Sequence, residues 1–168
     1  MANIFLEKII LEEKMCYNSK FSVVKDADPI IDNHFLLFPN FEAFSLADVN
    51  ADDVINFLNT SLSQYLGNRK YMLLERGRAS FCTSLDGIIH AHAHIVPTVE
   101  NVEELFDLTG INVHENILDA LNSILPDEQY LLWGQLDGKF YTVQPLLDVP
   151  KRIIRNSVRD KYRTVRVI

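Results

Sequence analysis

The sequence predicts an α+β protein: an antiparallel sheet of about five strands with a helix packed on it, followed by a C-terminal α/β extension. Three observations carry this. Four strand-like apolar runs precede Pro97, and most are joined by short turns. One long helical pattern interrupts them. A late Asp-Gly pair sits between two further strand-like runs.

Taken in order, Phe21-Ser22-Val23-Val24 reads as a strand that enters the turn Asp26-Ala27-Asp28-Pro29. His34 to Phe38 is a nearly continuous apolar run stopped by Pro39, the pattern of a buried strand. Asn50 caps a helix, and Asp52 and Asp53 in its first turn favour the helix dipole. Val54, Phe57, Leu58, Leu62, Tyr65 and Leu66 recur at helical spacing, and Gly67-Asn68 ends the run. Tyr71 to Leu74 predicts a third strand and Ile88 to Val96 a fourth, stopped by Pro97. Short helices are expected over Val102 to Leu108 and His114 to Leu125. Tyr130 to Gln135, Asp137-Gly138 and Phe140 to Val143 predict a hairpin. Asp148 caps a last helix whose first turn starts at Pro150. Residues 1–98 form the core of this reading and residues 99–168 an extension packed on the same domain. The chain has no internal repeat and no low-complexity segment.

An apolar share of 48% and a charged share of 23% are ordinary for a soluble globular chain. No apolar run approaches the ~20 residues that span a bilayer. Glu7, Glu12 and Glu13 interrupt the first residues, so the apolar core of a secretion signal is missing and a cytoplasmic protein is expected. The two cysteines, Cys16 and Cys82, form no Cys-x-x-Cys pair, which excludes a zinc ribbon and argues against a disulfide framework.

The net charge of −7 argues against nucleic acid as a partner. The charge is uneven. From Pro150 onward, seven basic residues face Asp160 alone, a balance of +6 that leaves −13 on the rest. The last helix places Arg152, Arg155 and Arg159 on one stripe, suited to a docking surface or a phosphate-facing lid.

Three of five histidines fall within His90-Ala91-His92-Ala93-His94. On a strand they would share one face, with Ala91, Ala93 and Ile95 on the other. Two chemistries suit such a row. A His-x-His pair can hold a metal ion, with His34 or Glu75 completing the set. Alternatively, a neutral imidazole can attack a phosphate and form a covalent phosphoramidate, with neighbouring imidazoles holding phosphate oxygens and supplying a proton.

His90-Ala91-His92-Ala93-His94-Ile95-Val96 resembles the His-φ-His-φ-His-φ-φ motif of the histidine triad (HIT) superfamily of nucleotide hydrolases and transferases, with alanine counted as apolar. The segment Asp26 to Pro39 is similar to that family's Asp/Asn-x-x-Pro stretch followed by His and an apolar run ending in Pro. Together these cover Phe21 to Pro97, about half the chain.

The resemblance implies that His92 is the nucleophile, with His90 and His94 orienting it and contacting the phosphate and leaving group. It implies Asp26 for the ribose hydroxyls, His34 as support for the catalytic histidine, and Phe21 and Ile30 lining the base pocket. Thr83 or Ser84 would offer a hydroxyl to the phosphate, and Arg76, Arg78, Arg152 and Arg155 are candidate phosphate contacts. The implied activity is hydrolysis or nucleotidyl transfer at a nucleotide α-phosphate, on phosphoanhydride or phosphoramidate bonds. No cofactor would be obligatory, Mg²⁺ would accompany a polyphosphate substrate, and no metal would be held by the protein. Homodimers formed by pairing sheets or helices are implied as well, with residues 98–168 able to support or block that mode. A nucleotide-binding regulatory module with little turnover and a His-row metal-binding protein are the alternative readings.

The sequence departs from the family pattern in three places. The stretch before the triad is Cys82-Thr83-Ser84-Leu85-Asp86-Gly87 where many members carry Gly-Gln-Ser/Thr. Some members hold zinc with Cys-x-x-Cys, but Cys16 has Ser19 at that spacing. Residues 98–168 exceed the minimal fold.

Overall fold

A computed structural model describes residues 4–9, 12–82, 90–146, 149–150 and 152–164. Helix α1 (Ile4–Ile9) precedes β1 (Lys14–Tyr17), β2 (Phe21–Lys25) and β3 (Phe35–Pro39). Helix α2 (Ala51–Phe57) continues through a π-helical turn, Leu58–Leu62, into α3 (Ser63–Leu66). Then come β4 (Tyr71–Gly77), β5 (Ala93–Pro97), β6 (Asn112–His114), α4 (Ile117–Ser123), β7 (Tyr130–Gln135), β8 (Phe140–Val143) and α5 (Ile153–Thr164).

The strands form one eight-stranded sheet in the order β1-β2-β3-β5-β4-β7-β8-β6, with antiparallel neighbours throughout. The α+β class is as the sequence predicts, but the sheet is larger. The extension adds β7, β8 and β6 to the same sheet, and β7 takes the edge of β4 that β5 leaves open.

Local chemistry explains the elements. Asn50 caps α2 by accepting from the backbone N–H of Asp52 at 2.9 Å and of Asp53 at 3.2 Å. Gly67 ends the helical run at φ +65°, a conformation that disfavours any side chain. The expected helix over Val102 to Leu108 shortens to a 3₁₀ turn, Val102–Glu104. There the Val102 carbonyl accepts both from the Leu105 N–H at 3.2 Å, closing the 3₁₀ turn, and from the Trp133 indole at 2.9 Å. The helix expected from His114 starts at Ile117, because His114 pairs with Phe140 in the sheet. The fourth strand starts at Ala93, with His90 and His92 in the segment leading into it; residues 88–89 lie outside the described residues, as does Asp148.

The sheet's two faces are covered differently. On one, Phe21, Val23, Phe35, Leu37, Leu73, Ile95 and Leu132 pack with Phe57 and Leu62 of the helical run and with Ala120 of α4. On the other, Met72, Leu74, Val96, Leu131 and Trp133 meet Ile153, Ile154 and Val158 of α5. A smaller cluster on that second face, Val24, Leu36 and Phe38, is covered by Leu6 and Ile9 of α1. His94 is in register with Leu36 on one side and Leu74 on the other. Strand alternation therefore directs His94 to the second face, between its two apolar clusters.

One close approach is diagnostic. Gly77 pairs with Tyr130, and a Cβ on Gly77 would lie 2.1 Å from the Tyr130 ring. The ring is held by its hydroxyl, which donates to the buried Glu75 carboxylate. Gly77→Ala is expected to destabilise the fold by about 1–3 kcal/mol, read as a lower urea midpoint. An unchanged midpoint would mean the ring has room to retreat.

Candidate active site

The site gathers where β2, β3 and β5 run side by side. Asp26 directly follows β2, His34 directly precedes β3, and His94 lies within β5. The rings of His92 and His94 are 5.5 Å apart, and those of His34 and His94 5.1 Å apart. His90, His94, His34 and Asp26 are buried and His92 is half-buried.

Hydrogen-bond partners assign the proton of each imidazole. His92 Nδ1 lies 2.9 Å from the His90 carbonyl, so Nδ1–H donates and Nε2 keeps the lone pair. His90 Nε2–H donates to the Pro39 carbonyl at 3.0 Å. The Ile30 N–H donates to His34 Nδ1 at 3.1 Å, which puts the His34 proton on Nε2. That proton points at His94 Nδ1, 2.9 Å away, with Asp26 Oδ2 at 3.2 Å. His94 Nδ1 thus accepts, and its own proton sits on Nε2.

The row is held neutral. Burial pushes His92 and His34 down from 6.5 to about 4 and His94 well below its usual range; the nearby Arg155 guanidinium adds to all three shifts. Arg78 lowers His92 further, and burial lowers His90. Asp26 opposes the effect at His34 without reversing it. An unprotonated imidazole near neutral pH is what a nitrogen nucleophile requires.

Asp26, His34 and His94 could each offer a ligand atom within 4.8 Å of the others. The tautomers oppose a cation there. The Ile30 N–H at Nδ1 leaves His34 Nε2 protonated, with no lone pair to donate, and the Arg155 guanidinium already binds Asp26 Oδ2 at 2.7 Å. Glu75, the other metal-ligand candidate, faces the helix-covered side. It accepts from the Leu46 N–H at 2.8 Å and from the Tyr130 hydroxyl, away from the histidines.

Of the remaining sequence-derived candidates, Phe21 needs correction. It is wholly buried in the helix-side core, 5.4 Å from the Phe57 ring, on the opposite face from the histidines. Ile30 packs beside the α5 cluster on the histidine face. Arg78 is buried and acts electrostatically on His92. Arg76 donates to the Pro150 carbonyl at 3.0 Å, just ahead of α5. Arg152 pairs with Asp28 at 3.3 Å, and Arg155 binds Asp26 and, at 2.6 Å, the Asp28 carbonyl. Thr83 and Ser84 lie outside the described residues. Sequence reasoning missed the backbone groups of Pro39, His90 and Ile30 that set the tautomers. It also missed the Arg155–Asp26 pair, whose signal was an acidic turn and a basic helix of opposite charge.

The chain is similar to several solved structures. A "Hit Like Protein" is 21% identical with a TM-score of 0.45, over 56% of this chain and 97% of that one. A HIT family hydrolase from Clostridium thermocellum is 20% identical with a TM-score of 0.42, over 60% and 95%. A yeast Ap4A phosphorylase is 12% identical with a TM-score of 0.47, over 75% and 58%. No protein-family model and no curated protein matches the chain. Among the described residues, no helix is long and apolar enough to cross a membrane.

Proposed function

We propose that the chain is a nucleotide hydrolase or nucleotidyltransferase that works through a covalent nucleotidyl-His92. The observation that carries this reading is the His92 tautomer: Nδ1–H is committed to the His90 carbonyl, so the lone pair is on Nε2. The triad motif supports it independently.

In the proposed step, the Nε2 lone pair attacks the α-phosphorus. The bond from phosphorus to the leaving group breaks, and the leaving group carries away that electron pair and takes up a proton from solvent, which the attacking water gives back in the second step. The neutral His94 donates from Nε2–H to a phosphate or leaving-group oxygen. Water, or another acceptor in the transfer case, then attacks the phosphorus and returns the electron pair to Nε2. His90 holds the segment to β3 through Pro39. Arg78 faces the charge that develops beside His92. Ile30 lines the base side; the Asp26 side chain is 3% exposed, with Oδ2 bonded to Arg155 and Oδ1 to the Asp28 N–H, and so is not free to accept from the ribose. Phe21, on the far face, has no part in it. The substrate is a small nucleotide, and Mg²⁺ bound to it belongs to its polyphosphate form.

Rapid quenching with phosphoramidate, dinucleoside polyphosphate and nucleotide-sugar substrates tests the reading. The expected result is a nucleoside monophosphate adduct on the peptide containing His92, found by mass spectrometry. Tight nucleotide binding with neither adduct nor cleavage would establish the binding-module alternative instead.

A further inference from the structure

The last helix enters the site through one side chain. Arg155 is about four-fifths buried, and it uses both terminal nitrogens on the turn after β2: Nη2 to Asp26 Oδ2 at 2.7 Å and Nη1 to the Asp28 carbonyl at 2.6 Å. The same Oδ2 lies 3.2 Å from His34 Nε2 and 3.9 Å from His94 Nδ1. The other Asp26 oxygen accepts from the Asp28 N–H at 2.8 Å. The carboxylate is therefore bonded on the α5 side and stands back from His94.

We propose that Arg155 is a positioning residue for the histidine row: by drawing the Asp26 carboxylate toward α5, it keeps His94 Nδ1 an acceptor from His34 and His94 Nε2 the protonated nitrogen. An ionised Asp26 without that partner would attract a proton to His94 Nδ1, either reversing the tautomer or creating an imidazolium. Arg155 then acts on chemistry through Asp26, and not as a grip on substrate phosphate. The groups around His34 and His94 are Asp26 and Asp28 from the β2–β3 turn, Arg155 from α5, and His92 ahead of β5. Arg78, just past β4, lowers His92 electrostatically, and Arg76 alternates with Gly77 onto the Leu74 face of β4. Among these, Asp26 and Asp28 favour the charged imidazole at His34 and Arg155 disfavours it. That balance agrees with the geometry.

The helix is anchored elsewhere, by buried Ile153, Ile154 and Val158 and by a 2.6 Å bond from the Tyr162 hydroxyl to the Pro97 carbonyl. Replacing one guanidinium should leave it docked.

The test is histidine titration by NMR in the full chain, which needs no turnover, paired with pH profiles of kcat and KM. In Arg155→Met the His34 and His94 midpoints should rise by about one pH unit or more, with the acid limb of kcat following. Arg155→Lys should recover part of the shift. In an Asp26→Asn background, Arg155→Met should produce a smaller shift, the direct effect of the lost guanidinium charge alone, because the carboxylate being balanced is gone. Unmoved midpoints in folded Arg155→Met would overturn the proposal, as would a raised KM with an unmoved acid limb, which would make Arg155 a phosphate contact. The kinetic arm rests on His92 as nucleophile and the titration arm does not. Shifted midpoints in a chain without turnover would sink the enzyme reading and keep this one.

Discussion

Replacing His92 by Asn is expected to lower kcat on nucleotidyl substrates by a factor of about 10³ or more. The substitution is selective for geometric reasons. The Asn amide nitrogen stands near the position of the imidazole Nδ1, so the 2.9 Å bond to the His90 carbonyl has a replacement donor. Nothing in Asn replaces Nε2. The site is half-buried, and the loss of ring volume there is modest. Fold and nucleotide affinity should survive, visible as an unchanged near-ultraviolet spectrum and an unchanged Kd for a nucleoside monophosphate. Rates close to wild type would remove His92 as the nucleophile.

The second large effect is on stability. The folded-state pKa values of His92 and His34 are lowered from 6.5 to about 4, so between those limits the unfolded chain binds protons that the folded chain refuses. Stability present above pH 6.5 is thus lost as pH falls toward 4. A single imidazole displaced this far is worth roughly 3 kcal/mol, and His90 and His94 act in the same direction. Glu75 has the opposite sign. Burial raises its pKa from 4.5 to about 8, so its contribution is complete below 4.5 and is lost as pH rises through 8. A denaturation midpoint measured across pH 4 to 9 should therefore peak between the two limbs. His92→Asn should make the acid limb shallower and leave the alkaline one, and Glu75→Gln should do the reverse. A flat profile in both variants and in wild type would contradict the burial of these groups.

The alanines between the histidines leave a strand period visible, but β5 starts at Ala93, so alternation sets the face of His94, while His90 and His92 lie in the segment leading into the strand. Phe21 is a different case: the family resemblance, not alternation, put it in the base pocket, and it lies in the helix-side core. Strand β2 is buried on both faces, so its apolar run shows no alternation from which to tell the core side from the site side. The hairpin was legible through Asp137-Gly138, yet its docking on β4 was not, since strand order depends on packing between distant segments. Main-chain atoms of Pro39, His90 and Ile30 set the tautomers, and every residue type carries such atoms. Arg155 and Asp26 are 129 residues apart, and only the folded chain brings them together.

The pairing of β7 with β4 has a thermodynamic consequence. Six residue pairs, from Met72 with Gln135 to Gly77 with Tyr130, join a strand of the histidine-bearing half to one supplied by the same polypeptide. A strand lent by a second molecule would be subject to mass action and lost on dilution. Here the partner strand is tethered, so its local concentration is fixed by the loop that delivers it. The melting point of this part of the sheet should not vary with protein concentration. Among the described residues, any association that lengthened the sheet would have to begin at β1 or at the three-residue β6.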